Sequence, residues 1–170
     1  MQLSILGSEL MSEKIESLKA LANTAYGRFD LTMKDLKEVE IEWKPVDEAN
    51  NIRWILTHLS QQWNVGFQRT FMGDNNYKPG GWPDDYVGNK TITYTKLVAD
   101  LAKGRAVVLE GLGKITAADL TAEVQSPSGS VKRYDRLLRQ LSEILHHEGQ
   151  IAYIRGAIGR KRQKDSHFLA

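Results

Sequence analysis

Residues 140–159, QLSEILHHEGQIAYIRGAIG, carry apolar side chains at helical spacing for about five turns. A helix that long must bury one face, so the rest of the chain has to supply matching apolar faces. Three other segments do so. Residues 8–29 place Leu10, Ile15, Leu18, Leu21 and Ala22 along one stripe. A segment starting at Asn50 or Asn51, good helix-capping types, aligns Ile52, Ile55, Leu56, Leu59, Trp63 and Phe67. Residues 93–112 align Leu97, Val98, Leu101, Val108 and Leu109. The last helix itself begins after Ser130, ends at Gly159, and presents Tyr134, Leu137, Leu138, Leu141, Ile144, Leu145 and Ile151. Four long amphipathic helices with long connections imply an all-α four-helix bundle.

The connections are less regular. Residues 31–36 either extend the first helix or form a short second piece. Residues 39–45, VEIEWKP, suggest an extended link with Trp43 as a lid on the core. Residues 72–90 are rich in Gly, Pro, Asn and Asp, and Tyr77, Trp82 and Tyr86 are expected to pin this loop to the bundle. Gly104 weakens the third helix at its centre, and Gly113 is a natural stop. Thr116 to Asp119 resembles a capped turn, and residues 125–130, QSPSGS, suggest a loop. Strand signals are too few for a sheet, and no internal repeat is visible. Residues 1–170 form a single domain on this reading, with 160–170 a basic tail expected to be mobile.

Composition removes several function classes. The chain has 170 residues and no cysteine, which excludes disulfides, thiolate metal sites and cysteine nucleophiles. The absence of cysteine fits a reducing interior, and the N-terminus lacks the features of a secretory signal. No apolar run is long enough for a membrane span. A cytoplasmic location is therefore expected. A net charge of +2 gives no argument for a nucleic-acid or membrane partner. The run 160–164, RKRQK, is read as a solvated helix end, where cations suit the helix dipole. There is no phosphate-binding glycine loop, no G-x-S-x-G and no H-E-x-x-H.

The chemistry that remains concerns His58, Glu143 and His147. On the last helix, Arg136, Gln140, Glu143, His147, Gln150 and Ile154 share a stripe beside the core face. Glu143 and His147, four apart, are neighbours that can chelate one ion. On the second helix, Trp54, His58, Gln61, Gln62 and Val65 form a more polar stripe next to the core, so His58 looks into a boundary between helices. A carboxylate with two imidazoles suits zinc, nickel, manganese or iron(II), and three protein ligands leave positions open for water or substrate. Spacing alone leaves a second reading open, in which the pair is solvated and His58 is a packed, hydrogen-bonded side chain. His146 is off the stripe by one position and is read as exposed or as a support to the site. His167 lies in the tail.

Four stretches together resemble the DinB-like (YfiT-like) superfamily of metal-dependent helical bundles: residues 43–59, with WKP and NNIRWILTHL; residues 91–112; residues 122–130, AEVQSPSGS; and residues 146–159, HHEGQIAYIRGAIG. The last is the most specific. The resemblance implies a metal triad with one histidine on the second helix and an H-x-x-x-H pair on the last. His58 and His147 match it, and Glu143 stands where the family has its other histidine. It also implies a divalent ion, zinc or nickel first and manganese or iron after, and a homodimer. The implied activity is a thiol S-transferase or a hydrolase, in which the metal activates a low-molecular-weight thiol or water. Arg53, Trp54, Gln62, His146 and Gln150 are the candidates for lining or supporting that site. The alternative is a non-catalytic, dimeric stress-response or binding module whose metal site is degenerate. DNA binding through the basic tail is a third class, and it predicts strong salt dependence.

Overall fold

The computed structural model describes residues 2–126 and 129–169, with side chains from residue 9 onward. Its elements are α1 (Gln2–Met33), α2 (Ile52–Gln61), α3 (Phe67–Met72), α4 (Tyr94–Lys114), α5 (Ala117–Thr121), β1 (Glu123–Ser126), β2 (Gly129–Lys132) and α6 (Arg133–Lys164). The bundle consists of α1, the α2–α3 pair, α4 and α6, with α1 lying along α6. Among the described residues, no helix is long and apolar enough to cross a membrane.

The second helix starts where its cap chemistry dictates. The Asn51 side chain accepts a hydrogen bond from the Trp54 N–H at 2.8 Å, a cap worth about 1 kcal/mol. Ile52, Ile55, Leu56, Leu59, Trp63 and Phe67 are all buried, as their spacing predicts. Between α2 and α3 the backbone widens into a π-turn at Gln62–Gly66, where the Phe67 N–H reaches back to the Gln62 carbonyl. The extra residue shifts the helical register. Val65, expected on the polar stripe, is therefore buried with Trp63 and Asn64. Trp63 meets Tyr26 and Phe29 edge-on, with centroids 4.9 and 5.3 Å apart, and so ties α1 to this turn.

Gly104 accounts for the closeness of α4 to the π-turn. A Cβ there would sit 2.7 Å from Trp63 Cβ and 2.6 Å from Asn64 Nδ2. The glycine that weakened the sequence pattern is what lets the helices meet. Three residues expected inward face solvent instead: Val98 and Leu109 on α4, and Leu138 on α6. Leu10 is likewise exposed, and α1 buries Ala25, Tyr26 and Phe29 further along. In each case the apolar stripe is wider than the partner helix can cover.

Other expectations are corrected at the connections. The first helix runs on to Met33, then turns at Asp35, whose φ is +58°. Residues 39–45 are not an extended link. Glu38–Glu40 form a 3-10 turn, Ile41 is fully buried, and its carbonyl accepts from the Arg53 N–H at 3.0 Å. The segment around 125–130 is a hairpin, with Glu123 opposite Lys132 and Ser126 opposite Gly129; residues 127 and 128 of the expected loop lie outside the described residues. Thr116 and Asp119 do form the reciprocal cap. Both α4 and α6 pass their expected glycine stops, α4 to Lys114 and α6 to Lys164. Past α6, Phe168 packs edge-on against Trp43 at 5.8 Å, and Arg162 donates to the carbonyls of Phe168 and Leu169. Trp43 packs against the core, as expected of a lid, and also meets Phe168.

The long loop before α4 is fastened to α2 through Thr57, Ser60 and Gln61. The Gly88 N–H donates to Thr57 Oγ1 at 2.8 Å. Tyr86 Oη lies 3.1 Å from Ser60 Oγ and donates to Asp100 at 2.7 Å. Trp82 Nε1 donates to Gln61 Oε1. Trp82 and Tyr86 are both buried, as the aromatic content of the loop predicts.

Candidate metal centre

His58 lies on α2, and Glu143 and His147 lie one turn apart on α6. One ligand-type atom from each residue falls in a group whose members are all within 4.8 Å of one another. The two imidazoles meet at 4.7 Å between centroids, tilted by 63°. Trp54 stacks on His58, with centroids 5.2 Å apart and planes 5° from parallel. His147 is buried, His58 is half-buried and Glu143 reaches into solvent.

Hydrogen bonding sets the state of His147. Its Nδ1 is 2.9 Å from Gln150 Oε1, and Gln150 Nε2 is 3.1 Å from His146 Nε2. An amide oxygen only accepts and an amide nitrogen only donates. With Gln150 oriented this way, a neutral His147 ring holds its proton on Nδ1 and presents the Nε2 lone pair. That Nε2 is 3.5 Å from Glu143 Oε2, another acceptor. A cation shared between the two atoms, a divalent ion or a proton on Nε2, satisfies both. Burial first, and then the neighbouring His147, hold the His58 pKa below its ordinary value, while Glu143 opposes the shift. His58 is thus neutral and free to donate a lone pair.

These observations fit a divalent ion. Ligand atoms bonded to one zinc-like ion at ~2.0–2.2 Å stand roughly 3–4 Å apart, so small side-chain rotations bring the 4.8 Å group to bonding distance. The outer support that metal-bound histidines require is present as Gln150 on His147.

The other expected site residues divide. Trp54 and Gln150 touch the cluster directly, and His146 supports it through Gln150. Gln62 lines a neighbouring cavity of about 410 Å³ beside the π-turn. Arg53 does not serve the cluster. It is buried on another side of α2, where it pairs with Glu42 and donates to the Ile92 carbonyl. A second cavity of about 410 Å³, mostly apolar, opens past His146 and Gln150 between Pro45, Ile55, Tyr153 and Ile154. The residues that hold α2 in place, Thr57, Ser60 and Gln61, gave no sequence signal of their own. Only the aromatics of the loop pointed to them.

The sequence profile of the DinB superfamily matches residues 22–151, which takes in all three cluster residues. A solved structure of a conserved protein from Enterococcus faecalis superposes with a TM-score of 0.57 at 18% identity, covering 82% of this chain and 94% of that one, a likeness of fold. No curated protein matches the chain.

Proposed function

The chain belongs to the DinB superfamily, and from that premise we propose that it is a metal-dependent enzyme whose ion is held by His58, Glu143 and His147. The observation that carries this reading is the convergence of the three side chains, each offering a ligand atom within 4.8 Å of the others, with His147 Nε2 3.5 Å from Glu143 Oε2. When bound there, a divalent ion such as zinc or nickel lowers the pKa of a thiol or of water and makes it a nucleophile at neutral pH.

We assign the chain to thiol S-transfer on a low-molecular-weight thiol, with hydrolysis as the variant in which water takes the thiol's place. The chain's own groups have defined parts in it. Gln150 keeps the His147 proton on Nδ1 and so keeps Nε2 available. Trp54 covers one face of His58 and excludes water from it. Glu143 adds a negative charge that balances part of the ion's charge. The apolar cavity past Gln150 receives the body of the substrate. A small-thiol co-substrate and a chain without cysteine both suit a reducing cytoplasm.

The second reading, a non-catalytic dimeric stress-response or binding module, draws on Glu143 itself, which replaces an imidazole and is half-exposed. Metal analysis of protein purified without chelators separates the two. We expect one divalent ion per chain in the native protein and none in His147→Ala; no metal, or equal metal in both, overturns the enzyme reading. A panel of small thiols offered to the metallated protein then identifies the co-substrate. The homodimer belongs to the same proposal, and the exposed Leu31, Val98, Leu109 and Leu138 offer apolar surface for it. Light scattering at the mass of a single chain, 19.2 kDa, would end it.

A further inference from the structure

On the opposite flank of the cluster from the apolar cavity, the π-turn borders the cavity of about 410 Å³ that Gln62 lines. Its charged lining consists of Arg69 and Arg136, and no carboxylate lines it. Arg136 makes no hydrogen bond or salt bridge with any described residue, although it is half-buried. Burial and the nearby Arg139 both disfavour its charge, and Glu143 favours it, which places Arg136 within electrostatic reach of the metal cluster. Arg69 spends its Nε on the Tyr77 carbonyl at 2.9 Å, and its two terminal nitrogens have no hydrogen-bond partner among the described residues. Two guanidinium groups lining one cavity, with no acid in its wall, offer donors to an anion.

A second observation points the same way. Gln140, on the α6 stripe between Arg136 and Glu143, is only 5% exposed, yet among the described residues neither its amide nitrogen nor its amide oxygen has a hydrogen-bond partner. Its amide lies against Gly66 at the cavity wall. A Cβ at 66 would stand 3.3 Å from Gln140 Nε2 and 2.5 Å from Gln62 Oε1. Glycine at this position of the π-turn is what allows both amides to lie there. π-turns inside helices are frequent at functional sites for this kind of reason.

We propose that this cavity is the subsite for a carboxylate group of the substrate, bound by Arg69 and Arg136 with the amide of Gln140 beneath. Planar guanidinium forks and amide donors match a planar carboxylate. A phosphate can use the same forks, so inorganic phosphate is the control that separates the two anions. That the bound molecule is also the one transformed at the metal rests on the metal-dependent reading above; anion binding by itself does not.

The test uses isotope-labelled protein treated with a chelator, so that a carboxylate cannot land on a metal. Succinate is titrated beside its neutral diamide, succinamide, and beside inorganic phosphate, while the arginine Nε–H resonances are followed. Succinate is expected to shift Arg69 and Arg136 and to saturate, with neither control doing so. Arg136→Gln is expected to weaken it by about tenfold or more, and Arg136→Lys, which keeps the charge and loses the fork, by less. Arg69→Gln serves as the second variant if the first fails to fold. Equal binding of succinate and diamide, tighter binding of phosphate, no saturation, or native affinity in the folded glutamine variants each overturns the proposal. Because no metal is present, failure here leaves the metal stoichiometry to stand or fall by its own measurement.

Discussion

His147 Nε2 and Glu143 Oε2 face each other at 3.5 Å, one helical turn apart on α6. Gln150 meets His147 at Nδ1, so Nε2 is the ring nitrogen left to face Glu143, and a cation between the two atoms serves both.

Glu143→His should therefore tighten metal binding, since a third imidazole is a softer and better-matched ligand for zinc or nickel. An increase of about tenfold or more in competition with a coloured chelator is the expected result. Glu143→Ala should loosen it. Unchanged binding in both variants would show that the side chain at 143 is not in the ligand set.

The metal-free protein should lose stability as the pH falls below 6.5, the ordinary imidazole value. Burial and His147 lower the His58 pKa in the native state. In the window beneath 6.5 the unfolded chain binds a proton there that the folded chain does not. Stability is thus complete above that pH and declines as the pH drops through it. Urea unfolding at pH 7.5 and 5.5 should show a smaller loss for His58→Gln than for the native protein; equal losses would remove His58 as the cause.

Gly104→Ala should destabilise the bundle by about 1–3 kcal/mol, even though alanine is the better helix former. The added methyl would meet Trp63 Cβ at 2.7 Å, a stem atom that cannot move without its backbone. Urea unfolding reads the outcome, and a stabilised variant would show that α4 can shift freely.

Glu40→Gln should cost about 2 kcal/mol. Glu40 is 3% exposed and pairs with both Arg155 and Arg162, joining the 3-10 turn to the last turns of α6. The two arginines keep some contact with water, which limits the loss. An unchanged unfolding midpoint would mean that the clasp adds nothing.

The helices were legible because their signal is local. The spacing of Ile52, Leu56, Leu59 and Trp63, or of Leu137, Leu141, Ile144 and Ile151, declares a buried face whatever packs on it. Asn51 and Thr116 marked their helix starts because a cap is made within four residues. The hairpin was missed because two four-residue strands carry too little pattern. Val65 was misplaced because a π-turn breaks the very period that the reading relies on.

By itself, the sequence determined the all-α bundle, the placing of Glu143 beside His147, and the expectation of His58 as their partner through family likeness. The tertiary structure decided which groups actually meet. It turned Arg53 away to Glu42, set Gln150 on His147, laid Trp54 over His58, and brought Arg69, Arg136 and Gln140 around Gly66. The reason is geometric. Periodicity fixes the face of a helix on which a side chain lies, whereas contacts between helices depend on their relative rotation and closeness, and those are set by Gly104, the π-turn and the loop fastened at Tyr86 and Gly88.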